Sequence, residues 1–250
     1  SGGLFFVGAG QSVVFITIPP LARDLGLNEI QTGSIFASSA LAWMVFSPYW
    51  GRLSDRRGRK KVVLIGLLGC ALSLILFSSA LTLGTSNVLL GWKLLAVLIL
   101  ARMVNGVLGS ATRPAAGAWI ADVTNPEERG AGYGRLNSGF SAGRIVGPAI
   151  AGFLLLISYT LPFYLFSLGL VVTTLVLIGQ PLKHKDLKNR KEESKLRLSD
   201  NQVWPFLAVA AGMGICNAML VQTASFFFQD IVTPMASNPI TYASIGFMLM

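Results

Sequence analysis

Two long apolar segments flank a short basic run, and this arrangement limits what the chain can fold into more than any other feature. The basic run is GRLSDRRGRKK at positions 51–61, and its one acidic residue is Asp55. The apolar segments at 30–50 and 62–83 each supply the roughly 20 residues that a helix needs to cross a bilayer. A soluble core does not explain this pattern, so the sequence predicts two membrane spans joined by a tight loop.

The composition excludes several other classes of protein. The chain is 53% hydrophobic and only 12% charged, as in membrane proteins. Its net charge of +9 is typical of nucleic-acid-binding proteins, but the charges form short blocks between apolar runs, as in cytoplasmic loops. We therefore predict a lipid bilayer as the surroundings and no nucleic-acid partner.

Apolar runs with short polar breaks continue along the chain and predict an all-α multi-pass membrane protein. The first run extends from Gly2 to about Pro20, without a basic segment before it. We therefore expect the chain to begin inside its first helix, and not with a cleaved signal peptide. The further predicted spans are 30–50, 62–83, 94–118, 135–157, 162–180 and 203–228, with an eighth that begins near Pro239.

A charged segment divides these spans into two groups. Residues 1–182 hold six predicted spans, 183–202 form a predicted cytoplasmic linker, and 203–250 begin a second, truncated bundle. The linker contains His184, which lies among solvated lysines and is not expected to act as a ligand or proton relay. A short amphipathic helix on the membrane surface is an alternative for the linker. Two bundles built from three-helix units are the plan of many transporters.

Lysine and arginine are distributed unequally between the two sides of the predicted bundle. One side holds six in 51–61, two in 129–135 and seven in 183–197, while the loops of the other side hold only Arg23 and Lys93. Since cytoplasmic loops carry the excess of basic residues, this distribution predicts a cytoplasmic N-terminus. The predicted location is the plasma membrane, as in the inner membrane of bacteria.

Three short motifs, in order, resemble those of the major facilitator superfamily. GRLSDRRGRKKVVLIG at 51–66 resembles the loop between helices 2 and 3, and RMVNGVLGSA at 102–111 resembles the helix 4 motif. GRIVGPAIAG at 143–152 resembles the helix 5 motif GxxxGP of the antiporter branch. The resemblance covers nearly the whole chain and implies a drug/proton antiporter-like transporter. Members usually carry twelve helices, so it implies the first six-helix bundle and the start of the second.

The first motif is the candidate conformational switch. Gly51 and Gly58 are expected to permit a tight reversal between helices, and Asp55 and Arg56 to belong to a network of charges. The resemblance implies that Asp55 approaches a helix of the second bundle and that Arg59 reaches an acid after helix 4. The candidate acid is Asp122. Pairs of this kind can form in one state and break in another, although the alternative is that the cations only set topology.

The third motif lies in a helix with a strip of small residues. Glycine or alanine recurs every four residues along one face, at Gly139, Gly143, Gly147 and Ala151. Such a strip lets a neighbouring helix approach closely, and Pro148 favours a bend because it lacks a backbone donor. The resemblance assigns Gly143, Gly147, Pro148 and Gly152 to an antiporter motif that seals the bundle against leak. The alternative is close packing without that role.

Two arginines at bilayer depth are the candidate substrate contacts. Arg102 and Arg144 lie about nine residues, or roughly 13 Å, from the nearer ends of their predicted helices. A charge at that depth is costly unless it is paired or hydrated, so both are expected to face a water-filled cavity that accepts an anion. Gln11, Asn105 and Asn137 complete the candidate cavity. The alternative, preferred for Arg102, is an arginine bonded to backbone carbonyls or to these three side chains.

The leading functional prediction is a secondary active exporter, a proton-coupled antiporter of small amphipathic or anionic compounds, monomeric when complete. An uptake symporter for an organic anion and a non-transporting receptor or scaffold are the alternatives. Many exporters of this branch carry an acid in helix 1, where this chain has Gln11 and Thr17. The sequence therefore leaves the residue that carries proton coupling open.

Neither enzymatic activity nor a cofactor is predicted. The predicted spans contain no nucleophile with a base partner, so no catalytic residue is proposed. Cys70 and Cys216 stand alone in apolar runs, without the paired spacing of a zinc site or a disulfide framework. We therefore predict no metal site.

Overall fold

The computed structural model of the chain describes residues 2–180 and four single positions beyond them, 209, 212, 213 and 216. The predicted linker 183–202, His184 and the predicted spans within 203–250 lie outside the continuous described region. Within 2–180, the structure forms α-helices and one π-helical turn, Asn105–Gly109. The helices are α1 Gly2–Asp24, α2 Glu29–Arg57, α3 Arg59–Thr85, α4 Gly91–Val104, α5 Thr112–Val123, α6 Arg129–Leu155 and α7 Leu161–Gly179.

Five segments of the described region are long and apolar enough to cross a membrane. They are Gly2–Pro19, Arg59–Thr85, Gly91–Val123, Arg129–Leu155 and Leu161–Gly179. The third of these combines α4, the π-helical turn and α5 into one unit. The sixth unit, α2, is 29 residues long but is more polar. The prediction of an all-α multi-pass membrane protein is confirmed.

The helices extend further than the apolar runs that predicted them. The predicted loop at 51–61 is wrong in extent, because α2 continues to Arg57 and α3 begins at Arg59. Only Gly58 separates them, with φ +96° in the region that favours glycine. Gly51 lies within α2, so the prediction that it permits the reversal is wrong. An apolar run marks only the part of a helix that lies inside the membrane. Arginine and lysine are good helix formers, so a helix can continue beyond that run.

Other helix boundaries shift in the same direction. The unit predicted at 94–118 extends over Gly91–Val123, and the one predicted at 135–157 already begins at Arg129. α6 continues through Pro148, which is buried within the helix. The start of α2 follows a capping box, in which Asn28 Oδ1 accepts a hydrogen bond from the Gln31 backbone N–H.

Close backbone contact between α1 and α6 brings together two helices that are far apart in sequence. A Cβ atom added at Gly143 would lie 2.0 Å from the Phe5 carbonyl oxygen, and one added at Gly8 would lie 2.3 Å from the Phe140 carbonyl oxygen. Only glycine fits at these crossing points, because the opposing atoms belong to the backbone. The predicted small-residue strip, which lies on α6, therefore meets α1 at Gly143 and Gly147.

α3 packs between α7 and the α4–α5 unit. The side of the bundle formed by the free sides of α3 and α7 is called its back. The rings of Phe77 on α3 and Phe163 on α7 have centroids 6.0 Å apart within the core. The free sides of α3 and α7 carry many large exposed apolar residues. These are Leu68, Leu72, Ile75, Leu76, Leu165, Leu168, Val172 and Leu175. This apolar surface is suited to lipid, which assigns the back of the bundle to the bilayer.

Candidate conformational switch and substrate cavity

Arg59 is the centre of a polar network at the turn between α2 and α3. Its Nε atom donates to Asp122 Oδ2 at 2.9 Å, and its Nη1 atom donates to Ser54 Oγ at 2.7 Å. A third contact is an ion pair with Asp55, one helical turn away in sequence. The arginine side chain is 10% exposed and that of Asp122 is 23% exposed. The network thus connects the α2–α3 turn to the end of α5.

The positions of the charges follow from the one-residue turn. Because Gly58 reverses the chain at once, Arg59 occupies the first position of α3 and points across the bundle end toward Asp122, near the last residue of α5. Half of the Asp55 side-chain surface is exposed, on the outer side of the same turn. Arg56, the residue after Asp55, is also exposed.

Lys60 extends these contacts to the end of α7. Its Nζ atom donates to the carbonyl oxygens of Ile178 at 3.0 Å and Gln180 at 2.7 Å. The last carbonyl groups of a helix have no intrahelical donor and carry partial negative charge, so a lysine there satisfies them. Adjacent residues Arg59 and Lys60 therefore join the ends of α5 and α7. Sequence reasoning placed Lys60 in the motif without finding this partner.

The π-helical turn in the middle of the α4–α5 unit was not predicted from the sequence. Trp50 of α2 donates its indole N–H to the Val107 carbonyl oxygen within that turn, at 2.6 Å. Gly106 packs on the Ser39 backbone of α2, and Gly109 packs on the Cys70 sulfur of α3. A π-turn leaves backbone carbonyls without regular partners, so a side-chain donor from a neighbouring helix stabilises it.

Arg102 and Asn105 lie inside the bundle next to this turn. Arg102 is only 4% exposed, so in the described bundle its side chain is enclosed and does not face the water-filled cavity that its depth predicted. Its Nε atom has no hydrogen-bond partner among the described residues, and the suggested bonds to Gln11, Asn105 or Asn137 are not formed there. Asn105 is 4% exposed and donates instead to the Cys70 sulfur at 3.7 Å.

The other three candidate cavity residues lie near the crossing of α1 and α6. Gln11 and Arg144 are half-buried, whereas Asn137 is exposed. The backbone at Arg144 is fixed by α1, since Ser12 Oγ donates to its carbonyl oxygen at 3.2 Å. The five predicted cavity residues therefore divide into an internal pair, Arg102 and Asn105, and three that reach the surface of α1 and α6.

Arg113 is a further charged residue at bilayer depth that sequence reasoning did not select. Its guanidinium carbon lies 4.8 Å from the centroid of the Phe140 ring, so the cation stacks on an aromatic residue of α6. Phe140 is 9% exposed, whereas Arg113 is exposed. Phe140 lies three residues before the third motif and one helical turn before Arg144, so an aromatic residue near that motif was the available sequence signal for a partner of Arg113.

The described cysteine and acidic residues are scattered over the described part of the chain. Within the described residues, no group of three or more histidine, cysteine, aspartate or glutamate side chains is arranged to hold a metal ion. Cys70 is buried and Cys216 is exposed, and both are free thiols.

Comparison with known proteins gives a consistent set of relatives. The model of the Major Facilitator Superfamily matches residues 1–250. The quinolone resistance protein NorA of Staphylococcus aureus strain MRSA252 is 30% identical over 196 residues, covering 77% of this chain and 47% of the relative. Multidrug resistance protein 1 of Bacillus subtilis strain 168 is 29% identical over 194 residues, covering 75% and 47%. The chain thus spans about half the length of these relatives.

A solved structure supports the same architecture. The crystal structure of a D-xylose-proton symporter superposes with a TM-score of 0.63 at 13% identity. The superposition covers 99% of this chain and 64% of the symporter chain. At this identity the likeness concerns the fold, and it agrees with the arrangement of helices described above.

Proposed function

The chain belongs to the major facilitator superfamily, and on that premise we propose that the complete protein is a secondary active exporter of small amphipathic or anionic compounds, driven by protons. It is a multi-pass membrane protein of a family of transporters, and we propose no enzymatic activity and no cofactor for it. The proposed orientation has the N-terminus and the α2–α3 turn on the cytoplasmic side of the plasma membrane. It is proposed to act as a monomer.

The observation that carries this proposal is the contact of Arg59 with Asp122, Asp55 and Ser54 at one end of the bundle. A transporter that alternates between two states needs contacts that hold one state and release in the other. Such contacts are useful only if part of their surface remains accessible, and half of the Asp55 side chain is exposed. A receptor or scaffold with the same fold has no need of a releasable network there.

The direction of transport is supported by the names of the relatives. A quinolone resistance protein and a multidrug resistance protein each match about three quarters of this chain, and within a family of transporters such names favour export of the compound. Export moves the compound from the cytoplasmic side, where the Arg59 network is proposed to lie. The alternative is an uptake symporter for an organic anion, which the vesicle experiment below distinguishes from an exporter.

The first prediction concerns the driving force. Everted membrane vesicles that contain the complete protein are expected to accumulate a fluorescent quinolone when respiration acidifies their interior. Accumulation is expected to stop when a protonophore collapses the gradient, because outward proton flow then no longer drives exchange. Accumulation that is unchanged by the protonophore would exclude proton coupling. Release of the compound on energisation would favour the uptake alternative.

The second prediction concerns Arg144, which is half-buried at bilayer depth. Arg144→Ala is expected to reduce transport of an anionic compound about tenfold more than transport of a neutral one. A hydrogen bond to a charged group contributes about 1.5–3 kcal/mol, which is sufficient for this difference. Arg129→Ala is the control, because Arg129 is exposed at the first position of the same helix. Equal losses for both compounds would argue against an anion contact at Arg144.

A further inference from the structure

The position of Arg113 requires an explanation that the switch does not provide. Arg113 lies ten residues before the end of α5 at Val123, or about 15 Å along the helix axis. Its side chain is nevertheless exposed on the surface of the described bundle. A charged side chain at such depth costs several kcal/mol in contact with lipid tails, so it is expected to face water or protein.

The surroundings of Arg113 show which side of the bundle it faces. Thr112, the preceding residue, is buried against Gly66 of α3, which lies at the lipid-suited back of the bundle. Arg113 contacts α6 instead, on the side where Asn137, Ser138 and Ser141 are exposed. At this level of α6 the exposed side chains are polar or small, and the next large exposed apolar residue is Ile145, whereas the free sides of α3 and α7 are mostly apolar. Arg113 therefore belongs to a polar face and not to the lipid face.

Phe140 holds the Arg113 guanidinium in a defined position. The Phe140 ring is 9% exposed, and its backbone is fixed by the close approach of Gly8 on α1. A guanidinium stacked on a ring keeps its in-plane N–H donors directed away from the ring. Within the described part of the chain, no carboxylate forms an ion pair with Arg113 and no acceptor forms a hydrogen bond with it. Its donors are thus presented to the polar face.

A stacked guanidinium with open donors fits one class of ligand better than others. A carboxylate accepts two parallel N–H donors from one arginine, and this bidentate geometry adds specificity as well as energy. Ile145 of α6 is exposed and provides apolar contact for an aromatic or aliphatic body, while Arg144 places a second positive charge one turn after Phe140 on the same helix. The combination favours an amphipathic compound with one carboxylate.

We propose that Arg113, stacked on Phe140, is the specificity-determining residue that binds the carboxylate of the transported compound. This inference rests on the proposed function, since it places the substrate on the polar face of a transporter bundle. It differs from the role predicted for Arg102, which is enclosed within the bundle. The selectivity of the site for acids over neutral compounds then depends on Arg113 of α5, a residue outside the three sequence motifs.

The test compares binding of 2-naphthoate and its methyl ester to the purified complete protein without any proton gradient. The wild type is expected to bind the acid at least tenfold more tightly than the ester, because only the acid forms the bidentate contact. Arg113→Gln is expected to bring the two affinities within about threefold of each other, and Arg113→Lys to retain part of the preference. A wild-type ratio in Arg113→Gln would overturn the proposal.

Two further variants separate recognition from folding. Phe140→Leu removes the ring but keeps Arg113, and it is expected to lower the acid-to-ester ratio; an unchanged ratio would contradict the stacking argument. Arg129→Gln removes an exposed cation at the start of α6 and is expected to leave the ratio unchanged. Because binding is measured without a gradient, acid selectivity without proton-driven transport would refute the proposed function alone. Proton-driven transport without acid selectivity would refute the role of Arg113 alone.

Discussion

Gly143→Ala is expected to destabilise the complete protein by at least about 2 kcal/mol, although alanine normally stabilises a helix. The added Cβ would lie 2.0 Å from the Phe5 carbonyl oxygen, 2.8 Å from the Phe5 carbonyl carbon and 2.9 Å from the Ala9 nitrogen. All three atoms belong to the α1 backbone, so no side-chain rotation relieves the clash. The two helices must separate, which loses close contact along their whole interface.

The measurement is the midpoint of thermal unfolding of the purified protein in detergent, together with the yield of monodisperse protein. Gly134→Ala is the matched control, because it lies on the same helix and an added Cβ there meets no atom within 4 Å. Its expected change has the opposite sign, a gain of about 0.5–1 kcal/mol from the better helix former. Equal midpoints for the two variants would refute the close approach of α1 and α6.

The features that the sequence predicted correctly are those that depend on local composition. Apolar runs identified the spans because the bilayer requires them, and the GxxxGP strip identified the close-packed face of α6 at Gly143 and Gly147. The motif that resembles the superfamily loop also paired Arg59 with Asp122, and the two side chains are in contact. These inferences need only the residues of one segment, or a pairing of two residues that the family resemblance implies.

The features that the sequence did not predict depend on neighbouring helices. The π-helical turn follows from the contact of Trp50 with Val107 and from glycines that let α2 and α3 approach. The burial of Arg102 and the exposure of Arg113 depend on how their helix is rotated in the bundle, which hydropathy does not determine. Gly51 was misassigned because charged residues end an apolar run without ending a helix.

α6 is packed more rigidly than the charged side chains around Arg59. Its glycines fix the helix to α1 by backbone contact, so these two helices are expected to move as one body. The contacts around Arg59 are instead made by flexible side chains at the bundle end, which can exchange partners at lower cost. A rigid core with an adjustable end is what rocking of one bundle against another requires.

Asp122→Asn is expected to slow proton-driven transport about tenfold while membrane insertion is retained. The asparagine keeps the size and one acceptor oxygen, so Arg59 Nε loses the charge of its partner but little packing. If one conformational state loses about 1.4 kcal/mol of stability, its population relative to the other state falls about tenfold. Transport is measured in everted vesicles. Hydrogen exchange over residues 51–61, read by mass spectrometry, is expected to become faster because the α2–α3 turn is held less firmly.

Glu127→Gln provides the control, because Glu127 is exposed in the connection just after α5 and its change removes the same charge. It is expected to leave both transport and exchange near wild-type values. Adding Arg59→Gln to Asp122→Asn is expected to slow transport by less than the product of the single effects, since both substitutions remove the same contact. Wild-type transport in Asp122→Asn, or slowing equal to that in Glu127→Gln, would show that the contact of Arg59 with Asp122 only stabilises the fold. The switch would then depend on Asp55, whose exposed half is the part of the network able to meet a second bundle.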